Sequence, residues 1–417
     1  MAKFLENYLK FILLSMIWLV KSSTSKMNFG KHYLIMNPKS NFDAGFQHGK
    51  LAKNKIQEYF NISYEMKQLR MFVTKSVEGK HVFDKLINTN KLHFPDLFEE
   101  MEGIARGASV DIKDVWIMNL LQEISGAHSD YAFTPKKMKC SDIYFKYTEN
   151  NTEHIVHGHN EDWSDELKPY GYFLSFQFTS NEIEKLSSVK PIAGFTYPGV
   201  ILGQVTSFNK KGMYFAINAL FPYPLNPVGR ALGFVSRRTI ETNNIEELTK
   251  GNVTYGMSVN VVLFNNKHSK SKINENHNSE FLEQIEEYMA LSKDYIQEET
   301  KILANYEISP FKVSVKYINS GSSYSHFNSY KRLKVDQYDD NSSYLRQKYV
   351  DSLPEPKSYL DVVNTLGSYP KVYKDYTLMT YVFDTRKENI YMWVSSNPST
   401  TEPKYVWNIH SFWLKQN

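Results

Sequence analysis

The hydrophobic period of this sequence changes at its only cysteine, Cys140, and that change constrains the fold more than any other feature. Apolar residues recur at helical spacing between residues 40 and 126. Beyond Cys140 they alternate as in β-strands, first over residues 141–147 and then over residues 153–158 and 171–178. Helices followed by strands favour a layered α+β architecture over a doubly wound sheet.

Three helices are predicted in the first half of the chain. Asn41 is expected to cap the first helix, which runs through Phe42, Phe46, Leu51 and Ile56. Asp96 is expected to begin the second helix and Gly107 to end it. Asp111 is expected to cap the third.

The pattern in the second half of the sequence predicts hairpins and one polar insertion. Residues 200–220 form two apolar strands around a turn at residues 209–212, and residues 381–395 form a late hairpin. Another strand is predicted over residues 257–264. Residues 265–279 have almost no apolar side chains and are predicted to be a solvated loop or insertion.

The first 25 residues are typical of a secretory signal peptide. A charged start precedes an apolar run of about ten residues, Phe11 to Val20, which is too short to span a membrane. We therefore expect a secreted or endomembrane-lumenal protein with no stable membrane span. Four N-glycosylation sequons fit this route, at Asn61, Asn150, Asn252 and Asn341.

Charge and cysteine content narrow the function further. The 49 basic and 45 acidic residues leave a net charge of +4, which gives no electrostatic reason to expect a nucleic-acid partner. With one cysteine there is no internal disulfide, so the core alone must stabilise the fold. A single free thiol in a secretory protein calls for a functional explanation.

Cys140 is a candidate nucleophile. A cysteine attacks acyl groups as its thiolate, and an ordinary thiol pKa is about 8.5, so a base is needed. At a chain start the residue's own α-amino group, with a pKa of about 7.7–8.0, can take the proton. Cys140 begins a strand just after the polar segment 134–139, as a new N-terminus made by cleavage would. A buried inert cysteine is the alternative interpretation of this residue alone.

Two polar residues downstream complete a candidate site. Asp162, at a strand end, is placed to orient the new amino group or the substrate. Asn218, after the hairpin turn, is placed to donate to a developing oxyanion, a contact worth about 3 kcal/mol to a transition state. Each residue alone is weak evidence for a catalytic site, because a strand-end Asp usually forms a turn and a lone Asn is usually a polar group whose hydrogen bonds are satisfied. The evidence for a site lies in the order and spacing of these residues along the chain.

Together these motifs resemble the acyl-CoA:6-aminopenicillanate acyltransferase family of N-terminal-nucleophile hydrolases, which includes the insect β-alanyl-amine hydrolases. The matching segments span most of the chain: residues 37–49, 99–109, 119–123, 140–142, 158–163, 209–220, 325–327, 342–346 and 397–398. The resemblance implies a four-layer αββα fold, self-cleavage before the cysteine, and catalysis without a metal or other cofactor. It implies Cys140 as nucleophile, Asp162 as supporting acid and Asn218 as oxyanion donor.

Further site residues follow from the same resemblance. His159 stands where the wider family has the Arg of a Gly-Arg-Asn-x-Asp motif, so His159 and the adjacent Asn160 are candidate supporting residues. A late family arginine corresponds to Arg332 or Arg346. Lys139 replaces the glycine that several relatives have before the cysteine, where glycine most easily allows the strained backbone of self-cleavage.

The expected product of cleavage between Lys139 and Cys140 is a heterodimer. Its light segment comprises residues 26–139, and its heavy catalytic segment comprises residues 140–417. The expected reaction is hydrolysis of the amide of small N-acyl amines, such as β-alanyl conjugates, through an acyl-cysteine.

Three alternatives remain open. The same site supports acyl transfer if an amine rather than water attacks the acyl-cysteine. A metal-dependent hydrolase would use His157, His159 and Asp162, but it needs further ligands, and His268 and His277 fall in the polar insertion. A binding protein without catalysis could retain the same fold.

Overall fold

The computed structural model describes residues 30–128, 138–264, 301–338 and 341–413. The predicted signal peptide and the polar insertion at residues 265–279, with its two histidines, lie outside these ranges.

Helices dominate the described chain before Cys140, as predicted. After strand β1 (His32–Met36) they are α1 (Asn41–Ile62), α2 (Tyr64–Lys75), α3 (Val77–His93), α4 (Pro95–Ala108), α5 (Ile112–Asn119) and α6 (Leu121–Ala127). The prediction identified α1, α4 and α5 and missed α2, α3 and α6. Within the described ranges, four more α-helices follow: α7 (Asn181–Leu186), α8 (Leu232–Thr242), α9 (Asn341–Asp351) and α10 (Tyr359–Leu366).

Three helix ends test the capping predictions. Asp111 caps α5 as predicted, its side chain accepting a hydrogen bond from the Lys113 amide. The cap of α1 is Ser40 rather than Asn41, because the Ser40 hydroxyl accepts from the Asp43 amide. Gly107 lies inside α4, which ends instead at Ser109 in the left-handed conformation, φ 57°.

Most of the apolar residues that predicted α1 do not face the core. Phe42, Phe46 and Leu51 are 38%, 37% and 45% exposed, whereas Ile56 is buried. A stripe of small residues faces α4 instead, so closely that a Cβ added to Gly45 would lie 1.9 Å from the Glu100 carbonyl oxygen. Because the two helices touch backbone to backbone, the large apolar side chains are pushed to the flanks.

Thirteen further strands are described after residue 138. They are β2 (Lys139–Glu149), β3 (Thr152–Asp162), β4 (Tyr172–Gln177), β5 (Ile192–Thr196), β6 (Ser207–Asn209), β7 (Met213–Leu220), β8 (Gly256–Leu263), β9 (Ile302–Ile308), β10 (Val313–Tyr317), β11 (Ser322–His326), β12 (Thr377–Asp384), β13 (Asn389–Val394) and β14 (Tyr405–Asn408). The late hairpin is present as β12 and β13. In the earlier hairpin, the first strand is only the three residues of β6.

The strands form two stacked sheets. One sheet has eight strands in the order β1-β4-β5-β6-β7-β8-β9-β10, and the other has six in the order β11-β2-β3-β12-β13-β14. Strand β2 of the smaller sheet contacts β7 of the larger, and the Tyr144 hydroxyl donates across the interface to Asn260 Oδ1 at 2.9 Å. Cys140 is thus the second residue of an inner strand that faces the other sheet.

Helices cover both outer faces. Helix α10 packs on β2, β3 and β12, while α1 contacts β1 and α8 contacts β6 on the other side. A small apolar cluster that includes Ile143, Val156 and Leu366 fills the space under α10. The predicted α+β class and the four-layer αββα arrangement are confirmed.

The structure also describes the sequons and the polarity of the helices. The four sequon asparagines are all exposed, so each can be reached by a modifying enzyme: Asn61, Asn150, Asn252 and Asn341. Over the described ranges, every helix is either too short or too polar to cross a membrane.

Candidate active site

Cys140 is held by its backbone as well as by its place on β2. It is buried, with 5% of its surface exposed. Its amide donates to Asn328 Oδ1 at 2.8 Å, and its carbonyl oxygen accepts from Arg346 Nη1 at 2.5 Å. Arg346 also donates to Ser141 Oγ and to Asn328 Oδ1, both at 2.9 Å. One arginine and one asparagine therefore fix both sides of the candidate nucleophile.

The structure separates the two candidate arginines. Arg346 contacts Cys140, whereas Arg332 donates to Asn305 Oδ1 at 2.6 Å and to the Tyr324 hydroxyl at 2.8 Å. Asn328 was missed by the sequence analysis. The available signal was its position, directly after the matching segment 325–327.

Antiparallel pairing brings β3 against the nucleophile. In the register of β2 and β3, Lys139 lies opposite Asp162, Cys140 opposite Glu161, and Asp142 opposite His159. The Cys140 Sγ is 3.8 Å from Glu161 Oε2. Neither Glu161 nor Asp142 was predicted, although both flank residues that were.

His159 lies between two buried carboxylates. Its Nδ1 is 3.0 Å from Asp142 Oδ2, and its Nε2 is 3.0 Å from Glu161 Oε2. The other oxygen of Asp142 is 2.7 Å from His157 Nε2. These four residues form a continuous polar chain beside the Cys140 sulfur.

The environment sets the protonation of these groups. Burial raises the pKa of the Cys140 thiol to about 12, and the Glu161 carboxylate adds to the effect. Burial favours a neutral Asp142, but the two imidazoles outweigh it and hold the pKa of Asp142 well below its ordinary range. Burial alone would lower the pKa of His159, but Asp142 raises it well above its ordinary value.

Asp162 is a buried carboxylate, and only one of its two oxygen atoms accepts a hydrogen bond from the described residues. Its Oδ1 accepts from the Thr377 hydroxyl at 2.5 Å, while its Oδ2 has no hydrogen-bond partner among the described residues. Burial raises the pKa of Asp162 to about 6, and the positive charge of Arg346 opposes that rise. A buried carboxylate oxygen without a hydrogen bond is unfavourable. Asp162 Oδ2 is therefore expected to accept from a donor that the intact chain does not supply.

Asn160 and Asn218 are less directly joined to the sulfur. Asn160 points to the opposite side of β3, where it donates to the Leu366 carbonyl at 2.9 Å. Asn218 accepts from Asn260 Nδ2 at 3.0 Å and donates to the His326 carbonyl over a long 3.4 Å. Neither makes a described hydrogen bond to Cys140, and the Asn218 amide donor is only weakly engaged.

A small cavity adjoins the site. The Tyr197 hydroxyl donates to Glu161 Oε1, and the Tyr197 ring lines a cavity of about 60 Å³ together with Trp163, Ile217 and Met257. Tyr197 thus links a wall of the cavity to Glu161, the carboxylate that also lies 3.8 Å from the Cys140 sulfur.

The predicted metal ligands do not come together. Within the described ranges, the residues whose ligand atoms cluster are Cys140, His159 and Glu161, with those atoms within 4.8 Å of one another. His157 and Asp162 are not in that group. Both nitrogens of His159 already face carboxylates, so we assign no metal to this cluster.

Comparisons with known proteins bear on the family. No protein-family model matches the chain. Over 391 residues it is 21% identical to a β-alanyl-dopamine/carcinine hydrolase of Drosophila melanogaster, covering 87% of this chain and 92% of the relative. Over 218 residues it is 24% identical to the 40 kDa form of an acyl-coenzyme A:6-aminopenicillanic-acid acyltransferase of Emericella nidulans, covering 51% of this chain and 54% of the relative.

Among solved structures, the chain is similar to the N-acylethanolamine-hydrolysing acid amidase ortholog of Caenorhabditis elegans. That match has 12% identity and a TM-score of 0.37, and it covers 64% of this chain and 99% of the other. It is too weak to support the fold, which is established by the sheet topology above. The two sequence relatives, one a hydrolase and one an acyltransferase, confirm the predicted enzyme class. They also confirm the predicted resemblance to the acyl-CoA:6-aminopenicillanate acyltransferase family of N-terminal-nucleophile hydrolases.

Proposed function

We propose that this chain is a self-processing cysteine amidohydrolase that cleaves small N-acyl amines through an acyl-cysteine intermediate. The observation that carries the proposal is the clamp of Asn328 and Arg346 on both sides of Cys140. Such a clamp fixes a nucleophile whose own backbone nitrogen takes part in the chemistry. The similarity to a β-alanyl-dopamine/carcinine hydrolase supports β-alanyl amines as the first substrates to try.

The Oδ2 atom of Asp162, which has no hydrogen-bond partner among the described residues, supports cleavage of the chain before Cys140. Asp162 lies opposite Lys139 in the strand register, next to the bond that would break. Scission converts the Cys140 amide into an α-amine, which becomes an ammonium group when it takes the thiol proton. An ammonium is the kind of donor that the Asp162 carboxylate lacks in the intact chain. The new charge and the carboxylate would then stabilise each other.

The proposed turnover uses the groups around that new terminus. The α-amine takes the thiol proton, and the Cys140 thiolate attacks the substrate's amide carbon. Asn218 exchanges its long bond to the His326 carbonyl for a bond to the oxyanion. The α-ammonium returns the proton to the departing amine, and water then hydrolyses the thioester. Attack by an amine instead of water would make the same site an acyltransferase.

The cavity beside Glu161 supports a small substrate. Its volume of about 60 Å³ has room for only a few water-sized groups, since each needs about 10–15 Å³ by this measure. Its walls include the aromatic rings of Trp163 and Tyr197, and the Tyr197 hydroxyl donates to the Glu161 carboxylate. A short acyl group or a small amine fits this space better than a long acyl chain.

Two contacts support a stable heterodimer after cleavage. Strand β1 of the light segment pairs in parallel with β4 of the heavy segment. Glu100 of the light segment forms a fully buried ion pair with Arg237 of the heavy segment at 2.7 Å. We further propose that the protein enters the secretory pathway and is glycosylated at its four exposed sequons, as the N-terminal 25 residues predict.

The test is release of free amine from a β-alanyl amine by purified protein. The wild-type chain is expected to turn over, Cys140→Ala to be uncleaved and inactive, and Cys140→Ser to cleave slowly. Alkylation of the thiol should abolish turnover, and metal chelators should leave it unchanged. Activity that survives thiol alkylation but is lost to chelators would favour the metal-dependent alternative, and an uncleaved, inactive wild-type chain would favour a binding protein.

A further inference from the structure

Glu123 is a buried carboxylate in the wall of the cavity that adjoins the candidate active site. It lies on helix α6 of the light segment, and 3% of its surface is exposed. The other side chains around this cavity of about 60 Å³ include Trp163 and Tyr197 of the heavy segment. Among the described residues that line the cavity there is no lysine, arginine or histidine. Glu123 therefore sets the charge of this space.

Neutral polar side chains of the same wall already have partners within the protein. Gln204 Nε2 donates to Asn119 Oδ1 at 2.9 Å, and Asn119 Nδ2 donates to the Gly199 carbonyl at 2.8 Å. The Ser236 hydroxyl donates to the Gly203 carbonyl at 2.7 Å. These groups are engaged in holding the wall together.

The bonds that reach the Glu123 carboxylate come from backbone amides. Its Oε1 accepts from the amide of Leu232, the first residue of helix α8, at 3.0 Å. Burial raises the pKa of Glu123 to about 7, and the amides of Leu232 and of Glu123 itself oppose that rise. Among the described residues, no basic side chain adds to this opposition. A buried carboxylate without a counter-charge is unfavourable, and a cation brought by a ligand would relieve that cost.

The cavity is connected to the reacting sulfur through Tyr197. The Tyr197 hydroxyl donates to Glu161 Oε1, and the other oxygen of Glu161 is 3.8 Å from the Cys140 sulfur. The ring of Trp163 meets the ring of Tyr197 edge to face, with 4.9 Å between the centroids. Two side-chain contacts therefore separate the cavity from the nucleophile, and the aromatic rings at this end of it attract cations.

We propose that Glu123 binds an ammonium group on the acyl part of the substrate and so selects amides of short ω-amino acids over amides of uncharged acids of equal length. This inference rests on the proposed function for the nucleophile and names the substrate class of that site. It also gives the light segment a part in recognition, because Glu123 precedes the proposed cleavage point.

The β-alanyl group fits the cavity in size and in polarity. Beyond its carbonyl carbon it has two methylene groups and one ammonium, which are three water-sized groups. At about 10–15 Å³ for each such group, a cavity of about 60 Å³ can hold them. The apolar side chains of Val200, Leu232 and Met257 also line the cavity and suit the methylene groups.

The first experiment compares two amides of the same amine, one β-alanyl and one butyryl, which differ in a terminal ammonium or methyl group. The wild-type protein is expected to have a KM at least about tenfold lower for the β-alanyl amide. Glu123→Gln keeps an oxygen that can accept from the Leu232 amide but removes the charge. It should raise KM for the β-alanyl amide about tenfold to a hundredfold, the range for a lost hydrogen bond to a charged group. Both kcat values and the butyryl KM should stay near those of the wild-type protein.

Two further variants test whether the charge is responsible. Glu123→Asp keeps the carboxylate and should retain part of the preference for the β-alanyl amide. Glu65→Gln is the matched control, since Glu65 is a light-segment carboxylate that is 5% exposed and does not line the cavity; it should leave the ratio of the two KM values unchanged. An equal change for both amides in Glu123→Gln would mean that Glu123 only supports the fold, and the inference would be overturned. If that variant does not fold, equal KM values in the wild-type protein would overturn it.

The second experiment measures binding without chemistry. Cys140→Ala, with and without Glu123→Gln, is titrated with β-alaninamide and with butyramide by isothermal titration calorimetry. β-Alaninamide should bind more tightly than butyramide, and the Gln substitution should weaken its binding by at least about tenfold. Such binding together with a wild-type protein that cleaves neither amide would refute the proposed function and support the inference. Turnover of both amides with no effect of Glu123 on binding would refute the inference and leave the proposed function standing.

Discussion

Asp162→Asn should have opposite effects on the stability of the intact chain and on the activity of the cleaved one. The substitution is nearly isosteric, and the Asn carbonyl oxygen can still accept from the Thr377 hydroxyl, now 2.5 Å from Oδ1. It removes the negative charge whose second oxygen is buried without a partner among the described residues. In a Cys140→Ala background the chain cannot cleave, so the intact state can be measured alone.

The magnitude follows from the pKa of Asp162. Burial raises that pKa from 3.8 to about 6, so the protonated carboxyl favours the folded state. That contribution is fully present below pH 3.8 and is lost as the pH rises through 6. At about 1.4 kcal/mol for each pKa unit, the ionised carboxylate costs the intact chain about 3 kcal/mol at pH 7. Burying the new amide N–H groups costs about 1 kcal/mol, which leaves an expected gain of about 2 kcal/mol.

Urea denaturation of Cys140→Ala with and without Asp162→Asn measures this gain. We expect the Asn variant to be more stable at pH 7, with the difference shrinking to nothing or reversing slightly near pH 4. In the chain with Cys140 intact, the same substitution should lower turnover because the α-ammonium loses its carboxylate. An Asn variant that is less stable at pH 7 would mean that the carboxylate is already satisfied before cleavage, and the reasoning would fail.

Four further substitutions have defined outcomes. Asn218→Ala should cleave normally but lose about a hundredfold in turnover; unchanged kinetics would remove Asn218 from the mechanism. Arg346→Met should slow both cleavage and turnover by at least about tenfold, because each lost bond to a charged group is worth about 1.5–3 kcal/mol. Arg332→Met should have a smaller effect than Arg346→Met on cleavage, measured by gel, and on turnover, measured by amine release. A larger effect of Arg332→Met would contradict the assignment of Arg346 to the site. Gly107→Ala should cost about 2 kcal/mol in urea denaturation, because its Cβ would lie 2.2 Å from the Phe46 carbonyl oxygen; no loss would show that the helices can separate.

Hydrophobic periodicity predicted the layers of this fold, but it did not predict how their elements pack against one another. The alternation after Cys140 gave β2, β3 and the late hairpin, since a strand with one face toward another sheet needs that pattern. At α1 the apolar pattern predicted the helix but does not show which face is buried, since Phe42 and Phe46 are partly exposed. Close helix contact selects the smallest residues, and a hydrophobicity pattern does not register glycine as an inward-facing residue.

The site was predictable only where a motif carried it. Cys140 and Asp162 were predicted from the order of segments, and Arg346 was one of two candidates for the late arginine. Asn328 and Glu161 were missed because their roles depend on contacts across strands and between distant segments. The register of β2 and β3 decides that Glu161 faces the sulfur, and a register cannot be read from either strand alone.

The most direct test of the central claim is the N-terminal sequence and intact mass of the purified protein. The account predicts a heavy fragment that begins with Cys140, Ser141 and Asp142, together with a light fragment that ends at Lys139. A single uncleaved chain with full amidase activity would contradict it, because the Cys140 nitrogen would then still be an amide during turnover.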